Sequence, residues 1–357
     1  MTVLHHLSLP ARLCLGFALL LALAAFGAAL TLHQPAPPRV IRVASIEALQ
    51  RAFADFDYSL AEARASGRVP RLTISDIPEN WDDGLDTAAR KQVFFESVLP
   101  LVLIANERVD RERRRLDRIA DRLARSEEIS EADWRWIGGL AMRYRVGWPS
   151  GAQKADSTRV NAALDTLRRR VGPVPPSLAL SQAAVESAYG TSRFAATGNA
   201  LFGQWTAGEG LTPARQRATK AGWTVAAFAS PQHSVDAYLR NLNTHRAYRD
   251  FRRVRQQMTK TAGDLSGEAL APTLAAYSEK GAAYTHTLRD IIRHNDLAVF
   301  DRAALDAGRR VLLVVPLRAR TRRSGTARAS GWRRRPARAL PGPRRARRPR
   351  SSAPRRN

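Results

Sequence analysis

The sequence predicts a mainly helical protein, and two observations carry that prediction. Apolar residues recur at the three- and four-residue spacing of a helix, as Leu116, Ile119 and Leu123 do between residues 109 and 125. Few runs alternate apolar and polar residues over the length of a strand. The 357 residues, 44% of them hydrophobic, are enough for one or two domains with a substantial core.

The first half of the chain contains further helix signals. Residues 40–64 carry apolar side chains at helical spacing and are predicted to form one helix, and the turn-rich residues 65–88 follow. A long helix is expected from near Thr87, with Pro100 either kinking it or opening a new helix. Ser130 begins a capping signal for the next helix.

The net charge of +26 is concentrated at the C-terminal end of the chain. Residues 309–357 contain 18 Arg and no acidic residue, which leaves 40 basic against 32 acidic residues in the first 308. A nucleic-acid reader would carry its basic residues on the folded surface, so no nucleic-acid partner is expected for the folded body. The Arg-rich tail by itself remains open as a salt-sensitive binder of nucleic acid or of a membrane surface.

The N-terminal segment predicts export from the cytoplasm. Residues 13–32 are uncharged and can just span the roughly 30 Å apolar layer of a membrane, and a Pro-rich linker follows at residues 34–38. An uncleaved anchor in the inner membrane and a cleaved signal peptide both fit. Either one predicts that the body works in the periplasm or on the extracytoplasmic face of the inner membrane.

Metal and cofactor chemistry is not suggested by the sequence. Cys14 is the only cysteine, which excludes a disulfide within the chain and a cysteine-rich zinc site. The histidines lack the spacing of metal ligands, and no Gly-rich phosphate loop or nucleophile elbow is present. We therefore expect no cofactor and no metal.

Glu186 is the strongest candidate for a catalytic group. Pro176 and Ser177 are typical of a helix start, and Gly190 suits the left-handed position after its end. Glu186 then falls in the last turn of an apolar, Ala-rich helix, where partial burial and the negative end of the helix dipole both favour a protonated carboxyl group. Glycoside hydrolysis requires such a group, which protonates the leaving oxygen. A surface glutamate is the alternative.

Two runs carry a resemblance to a known family. The run AVESAYGTSRF at residues 184–194 and the run GNALFG at residues 198–203 resemble the signature of the endo-β-N-acetylglucosaminidases of glycoside hydrolase family 73. Further stretches resemble the Bax-type branch of this family; they lie at residues 94–106, 204–206, 241–248 and 276–284. The chain departs from the signature at Ala188-Tyr189, where Gly-Trp or Gly-Tyr is common, and at Ala200, where Asn or Asp is usual.

The resemblance implies a lysozyme-like helical fold, with Glu186 as the catalytic acid. It also implies hydrolysis of the β-1,4 bond after N-acetylglucosamine in the glycan strands of peptidoglycan. Four regions are then expected, namely a signal peptide or anchor with its linker at 1–38, a helical N-terminal region at 39–145, the glucosaminidase domain at 146–305, and a basic, disordered tail at 306–357.

Three residues that follow the acid are candidates for binding the sugar. Asn199, Gln204 and Trp205 lie in a Gly-punctuated stretch, which predicts a loop beside the end of the helix. Amide groups can pair with sugar hydroxyl or acetamido groups, and an indole can stack on a sugar face. Packing in the core is an equal alternative for Trp205.

The partner of the acid is less well marked. Glu209, between two glycines that leave its loop mobile, is the candidate for a second carboxylate, with Asp236 and Glu279 as alternatives. Tyr277 and Tyr284 resemble the Tyr-containing segment that borders the family's cleft. We expect Tyr277 to act in catalysis and Tyr284 in substrate binding, although both also fit a helix core.

Two questions stay open at the level of sequence. The second step of hydrolysis could use a water-activating carboxylate, a carboxylate nucleophile or the acetamido group of the substrate. Since no second carboxylate is clear, a non-catalytic cell-wall binding or scaffold protein with the same fold is the alternative function.

Overall fold

The computed structural model describes residues 37–78, 84–152, 156–213, 222–261 and 263–316. This part of the chain is mainly α-helical, as the sequence predicts. Its helices in chain order are α1 (Ile46–Ala54), α2 (Leu60–Ser66), α3 (Thr87–Ala124), α4 (Glu131–Arg143), α5 (Ser157–Arg170), α6 (Pro176–Ser187), α7 (Arg193–Gly198), α8 (Pro231–Thr244), α9 (Arg249–Thr261), α10 (Gly267–Leu270) and α11 (Ala282–His294). Short 3₁₀ helices lie at Arg246–Tyr248, Ala271–Tyr277 and Ala298–Arg302.

The strands are short, and most of them join the two ends of the described chain. They are β1 (Arg39–Arg42), β2 (Arg68–Val69), β3 (Leu72–Ile74), β4 (Trp205–Thr206), β5 (Thr224–Val225), β6 (Ala304–Leu305) and β7 (Val311–Val314). Strand β7 lies between β1 and β3 and is parallel to both, and β2 is parallel to β6. Strands β4 and β5 form an antiparallel pair beside the signature run.

The predicted disordered tail at 306–357 begins too early. Residues 311–314 form the central strand β7, with Val311 and Leu313 buried against the core. The run Val-Leu-Leu-Val has the β propensity and alternating burial of a strand, but the arginines on either side dominate the composition of the region. Residues 317–357 lie outside the described part of the chain.

The predicted single helix over residues 40–64 is also wrong. Residues 39–42 form β1, and two separate helices follow. Ser45 caps α1, and Ser59 caps α2 by accepting from the backbone N–H of Glu62, whose carboxylate accepts from the Ser59 hydroxyl. The pattern Ser59-x-x-Glu62 is a capping box, a helix-start signal that the periodicity alone did not reveal.

Helix α3 runs through Pro100 without a break between helices. A proline has no N–H, so the carbonyl of Glu96 loses its helical hydrogen bond. The buried hydroxyl of Tyr58 donates to that carbonyl at 3.0 Å. A tertiary contact thus replaces the missing bond, and the helix is unbroken over its full length of 38 residues.

Residues of both predicted folded regions contribute to a single hydrophobic core, which extends from Val43 to Leu313. Helix α3 packs against α6 and α8, so the expected boundary between residues 145 and 146 does not separate two packed units. Among the described residues no helix is long and apolar enough to cross a membrane. The predicted signal or anchor segment at 13–32 lies outside them.

Candidate active site

Helix α6, which carries Glu186, is buried almost all round. Ten of its twelve residues are buried, and Val185 and Glu186 near its end are part-buried. Small side chains such as Ala179, Ala183 and Ala184 let α3, α10 and α11 approach this helix closely. A helix without a polar face belongs in the interior, so its environment is provided by the rest of the fold.

The N-terminal end of α6 is held by a carboxylate from a distant segment. Asp301 accepts from the backbone N–H and the hydroxyl of Ser177 at 2.9 and 2.8 Å, and also from the N–H of Gly267 at 2.9 Å. Pro175 precedes the helix and makes no side-chain cap, so Asp301 takes that role at the positive end of the helix. Burial raises the pKa of Asp301, while these hydrogen bonds lower it.

The segment that leads into α6 is anchored by three polar side chains. Asn106 pairs with both the N–H and the carbonyl of Val174, and Asn243 donates to the carbonyl of Gly172. The buried guanidinium of Arg255 donates to the carbonyl of Gly172 and to Oδ1 of Asn243. Burial lowers the pKa of Arg255 to about 9. Asn106 and Asn243 belong to the stretches of family resemblance, and here both have a structural role.

The C-terminal end of α6 has an unusual backbone. Ala188, Tyr189 and Gly190 have φ of 51°, 55° and 85°, so the left-handed conformation begins two residues before the glycine that was expected to adopt it. Ser187 stabilises this turn, because its hydroxyl donates to the carbonyl of Ala183 and accepts from the N–H of Gly190. Glu186 is therefore the last residue but one of the helix.

The ring of Tyr189 connects this turn to the N-terminal region. It meets the rings of Phe94 and Phe95 edge to face, with centroids 5.7 and 5.8 Å apart. Edge-to-face packing is favourable for aromatic rings. The Phe-Phe pair and the aromatic residue of the signature, which are far apart in sequence, thus form one cluster.

Gly203 lies directly against the carboxyl group of Glu186. A Cβ atom at this position would be 3.1 Å from Oε2 of Glu186, and the φ of Gly203 is +55°. Both facts favour glycine, since a side chain would crowd the carboxyl group and would strain the backbone. The last glycine of the run at 198–203 therefore leaves space for the acid.

The assignment of Asn199 as a sugar ligand is corrected by its contacts. The side chain is buried, its Oδ1 accepts from the N–H of Ile77, and its Nδ2 donates to Asp76 and to the carbonyl of Phe228. Asn199 itself has a left-handed backbone at the end of α7. Its amide ties three segments together and has a structural role.

Four tyrosines surround the acid. Tyr238 lies on α8 and Tyr284 on α11. Tyr248 and Tyr277 are the last residues of the 3₁₀ helices Arg246–Tyr248 and Ala271–Tyr277. Burial raises the pKa of all four, and the charge of Glu186 raises it further; the pKa of Tyr248 reaches about 12. These hydroxyls remain protonated at neutral pH and can act as hydrogen-bond donors.

A buried hydrogen-bond network leads from α8 to the acid through Gln182. The hydroxyl of Tyr238 donates to Oε1 of Gln182 at 2.6 Å, and Nε2 of Gln182 donates to the hydroxyl of Tyr284 at 2.9 Å. Tyr284 in turn is hydrogen-bonded to Glu186. Sequence reasoning missed Gln182, although a lone amide four residues before the acid lies on the same face of the helix.

The two family tyrosines pack against each other near Glu186. Tyr284 is buried, and its hydroxyl is hydrogen-bonded to Gln182 and Glu186. Its assignment to substrate binding stays a prediction. Tyr277 stacks on Tyr284 with centroids 5.9 Å apart, and its hydroxyl donates to the carbonyl of Phe202 at 2.8 Å. The catalytic role of Tyr277 stays a prediction.

The other two predicted sugar ligands lie next to Gly203. Gln204 donates from Nε2 to the carbonyl of Ala237, and its Oε1 is buried without a hydrogen-bond partner among the described residues. Trp205 is part-buried on β4, opposite Val225 of β5. Both remain predictions, whereas Phe202 is a core residue that stacks on Tyr238 at 3.9 Å.

The three carboxylates predicted as partners of Glu186 lie in different environments. Glu209 is exposed, and Gly210 beside it is closely packed, because a Cβ at Gly210 would lie 2.5 Å from the hydroxyl of Thr224. Asp236 forms an ion pair with Arg108, in keeping with a helix-surface position. Glu279 is exposed between the last two tyrosine-bearing segments.

Comparison with known proteins supports the resemblance. Residues 162–297 match the Glucosaminidase family, described as mannosyl-glycoprotein endo-beta-N-acetylglucosaminidase. The chain is 32% identical over 209 residues to Protein bax of Escherichia coli strain K12, and the match covers 58% of this chain and 70% of that protein. No solved structure matches the chain. A domain of this family indicates a glycosidase that acts on glycans.

Proposed function

The chain belongs to the Bax-type proteins with a glucosaminidase domain, and from this we propose that it hydrolyses the glycan strands of peptidoglycan. The bond cleaved is the β-1,4 bond after N-acetylglucosamine, and Glu186 is the general acid. The observation that carries the proposal is the position of Glu186, part-buried at the end of an otherwise buried helix, against Gly203 and in contact with a tyrosine hydroxyl.

The environment of Glu186 fits the work of a general acid. Such a group must hold a proton near neutral pH and release it to the leaving oxygen. The site combines partial burial with the negative end of a helix, and both disfavour the ionised form of a carboxyl group. A part-buried carboxyl group, in contrast with a fully buried one, also remains within reach of a substrate.

The place of action is proposed to be outside the cytoplasm. Support comes from the uncharged segment at residues 13–32 and from the substrate, since peptidoglycan lies beyond the inner membrane. The segment would act as a membrane anchor or as a cleaved signal.

The proposal is tested with purified chain and isolated sacculi. Digestion should release fragments that end in reducing N-acetylglucosamine, identified by mass spectrometry. Replacing Glu186 by Gln should lower the initial rate by a factor of about 100 or more, because a positioned general acid contributes about that much. Glu131→Gln, which changes an exposed glutamate on α4, is the matched control and should keep the full rate. Reducing ends of muramic acid, or a fully active Glu186→Gln protein, would contradict the proposal.

A second function is favoured by one observation, the exposed position of Glu209 on the segment between β4 and β5. A protein that binds the cell wall without cleaving it would bind sacculi with the same affinity before and after Glu186→Gln, and would release no fragment. If fragments are released, Glu209→Gln separates the remaining mechanisms. A loss of rate supports Glu209, on the segment between β4 and β5, as the second carboxylate. An unchanged rate favours Glu279 or the acetamido group of the substrate.

A further inference from the structure

Positive charge is concentrated at the turn between α8 and α9. His245, Arg246 and Arg249 are exposed there, with Arg246 on the 3₁₀ helix that follows α8 and Arg249 at the first residue of α9. Residues three apart on a helix lie on the same side of it. Asp250 is the acidic residue nearest to them in sequence, and it forms an ion pair with Arg253.

A second positively charged segment lies behind this turn. Arg145, which follows α4, is exposed, and Arg170 at the end of α5 donates to its carbonyl and to that of Tyr144. Arg255 of α9 donates to the carbonyl of Arg169 at 3.0 Å and so joins the end of α5 to α9. Hydrogen bonds from buried and part-buried arginines therefore hold the exposed arginines of two segments close together.

The exposed arginines of the two segments, Arg145, Arg246 and Arg249, form what we call the cationic patch. Partial removal from water lowers the pKa of His245, and the charges of Arg246 and Arg145 lower it further. Among the ion pairs of the described residues, none includes an arginine of the cationic patch. Like charges that are held together repel one another, and such a surface attracts anions.

A row of aromatic rings connects the cationic patch with the acid. The ring centroid of His245 lies 5.7 Å from that of Tyr248, which lies 5.9 Å from that of Tyr277. Tyr277 in turn stacks on Tyr284. The charge of Glu186 raises the pKa of Tyr248 and Tyr277, in addition to the effect of burial. The row thus extends from the surroundings of the acid to the cationic patch.

We propose that the cationic patch binds the carboxylate groups of the short peptides that peptidoglycan carries on its muramic acid. This inference rests on the proposed function, and it names a second part of the substrate that the protein recognises. The muramic acid next to the cleaved bond carries such a peptide, so its carboxylates are anions close to the reacting sugar. Arginine suits them, because its guanidinium can pair with a carboxylate through two parallel hydrogen bonds.

The first measurement is binding of a labelled peptide to the full chain by fluorescence anisotropy. The peptide has the composition of the peptidoglycan peptide, and its matched form has every carboxylate converted to a carboxamide. The carboxylate form should bind about tenfold more tightly, as expected for two exposed charge pairs. This difference should shrink at high salt, because exposed charges are screened. Equal Kd values for the two peptides would overturn the proposal.

Charge substitutions locate the binding site. The double variant Arg246→Gln, Arg249→Gln should weaken binding of the carboxylate peptide about tenfold, whereas Lys at both positions should keep most of the affinity. Arg135→Gln with Arg302→Gln is the control, because it removes the same charge at exposed arginines that are paired with carboxylates. The control should keep the Kd of the wild type. A loss as large as that of the double variant would show that only net charge matters, and would overturn the proposal.

Stability separates binding from a structural role of the same arginines. The Gln double variant relieves repulsion, so its free energy of unfolding in urea should be equal to or higher than that of the wild type. Weaker peptide binding together with a lower free energy of unfolding would assign the patch to the fold, against the proposal.

The last measurement uses soluble glycan strands with their peptides and strands from which an amidase has removed them. On the peptide-bearing strands the Gln double variant should raise KM about tenfold and keep kcat, because it removes binding that the ground state and the transition state share. On the stripped strands it should match the wild type. Peptide binding without cleavage of either strand would reject the proposed hydrolysis and keep the binding site. A variant that loses affinity for vesicles of anionic lipid, but not for the peptide, would assign the patch to a membrane and overturn the proposal.

Discussion

The two ends of helix α6 use their polar groups in different ways. At the first turn Asp301 accepts three hydrogen bonds, two from Ser177 and one from Gly267, and its role is structural. At the last turn Glu186 is part-buried, and the chain leaves the helix through a left-handed backbone that begins at Ala188. One carboxyl group holds the helix in place, while the other lies at a strained exit from it.

The difference indicates a division of labour within one short helix. Left-handed backbone at Ala188 and Tyr189 costs about 1 kcal/mol per residue. Such a turn persists only where the surrounding structure determines it. The anchors at the first turn and the rings packed on Tyr189 supply that constraint. The comparison predicts that substitutions of the residues that anchor the first turn lower stability, and that substitutions near the last turn lower activity.

The largest effect is expected at Arg255. Replacement by Met removes the donors to the carbonyl oxygens of Pro173 and Arg169 and to Oδ1 of Asn243, and should lower the free energy of unfolding by about 4 kcal/mol. Urea denaturation measures this loss. Arg253→Met changes an exposed arginine on the same helix and should cost less than about 0.5 kcal/mol. Similar losses for the two variants would show that the segment before α6 is not anchored by Arg255.

An intermediate effect is expected at Asp301. An amide nitrogen cannot accept a hydrogen bond, so Asp301→Asn should cost about 1–3 kcal/mol. Because burial raises the folded-state pKa of Asp301, its contribution is complete below the unfolded pKa and declines as the pH rises through the folded one. The stability difference between wild type and variant should therefore shrink from acidic towards neutral pH in urea titrations. Asp306→Asn, at an exposed ion pair, is the control and should cost less than about 1 kcal/mol.

The smallest effect on stability, and the clearest one on activity, is expected at Gly203. Ala at this position has an unfavourable left-handed backbone, which costs about 1 kcal/mol, and its Cβ crowds the carboxyl group of Glu186. Gly67→Ala has the same backbone cost, but its Cβ has open space around it. Both variants should lose similar stability, but only Gly203→Ala should lower kcat. Equal kcat values would show that the carboxyl group can move without loss.

Much of the helical part of the fold was predictable from local signals. The start of α3 near Thr87 and of α4 after Ser130 follows from periodicity and capping, which act within a few residues. Strand β7 was not predictable in this way, because its pairing with β1 and β3 joins residues more than 200 positions apart. The continuity of α3 through Pro100 likewise depends on the distant hydroxyl of Tyr58.

The candidate site likewise contains some residues that local sequence signals identified and others whose roles depend on distant contacts. The run around Glu186 and the glycine of the run at 198–203 were identified in the sequence, and the structure brings them together. Asn199 was identified for the wrong role, since a polar residue type does not reveal whether its partner is a sugar or the protein. Gln182 was missed because its partners come from α8 and α11.

The sequence by itself determined the class of fold and the family, and it led to the prediction of Glu186 as the acid, because these depend on residue types at short, regular spacings. Only the tertiary structure decided what surrounds the acid. Four tyrosines from separate segments interact with Glu186, and Gln182 of its own helix is hydrogen-bonded to two of them. Their hydrogen bonds have directions that depend on which groups are buried together, and burial is a property of the packed chain rather than of any stretch of it.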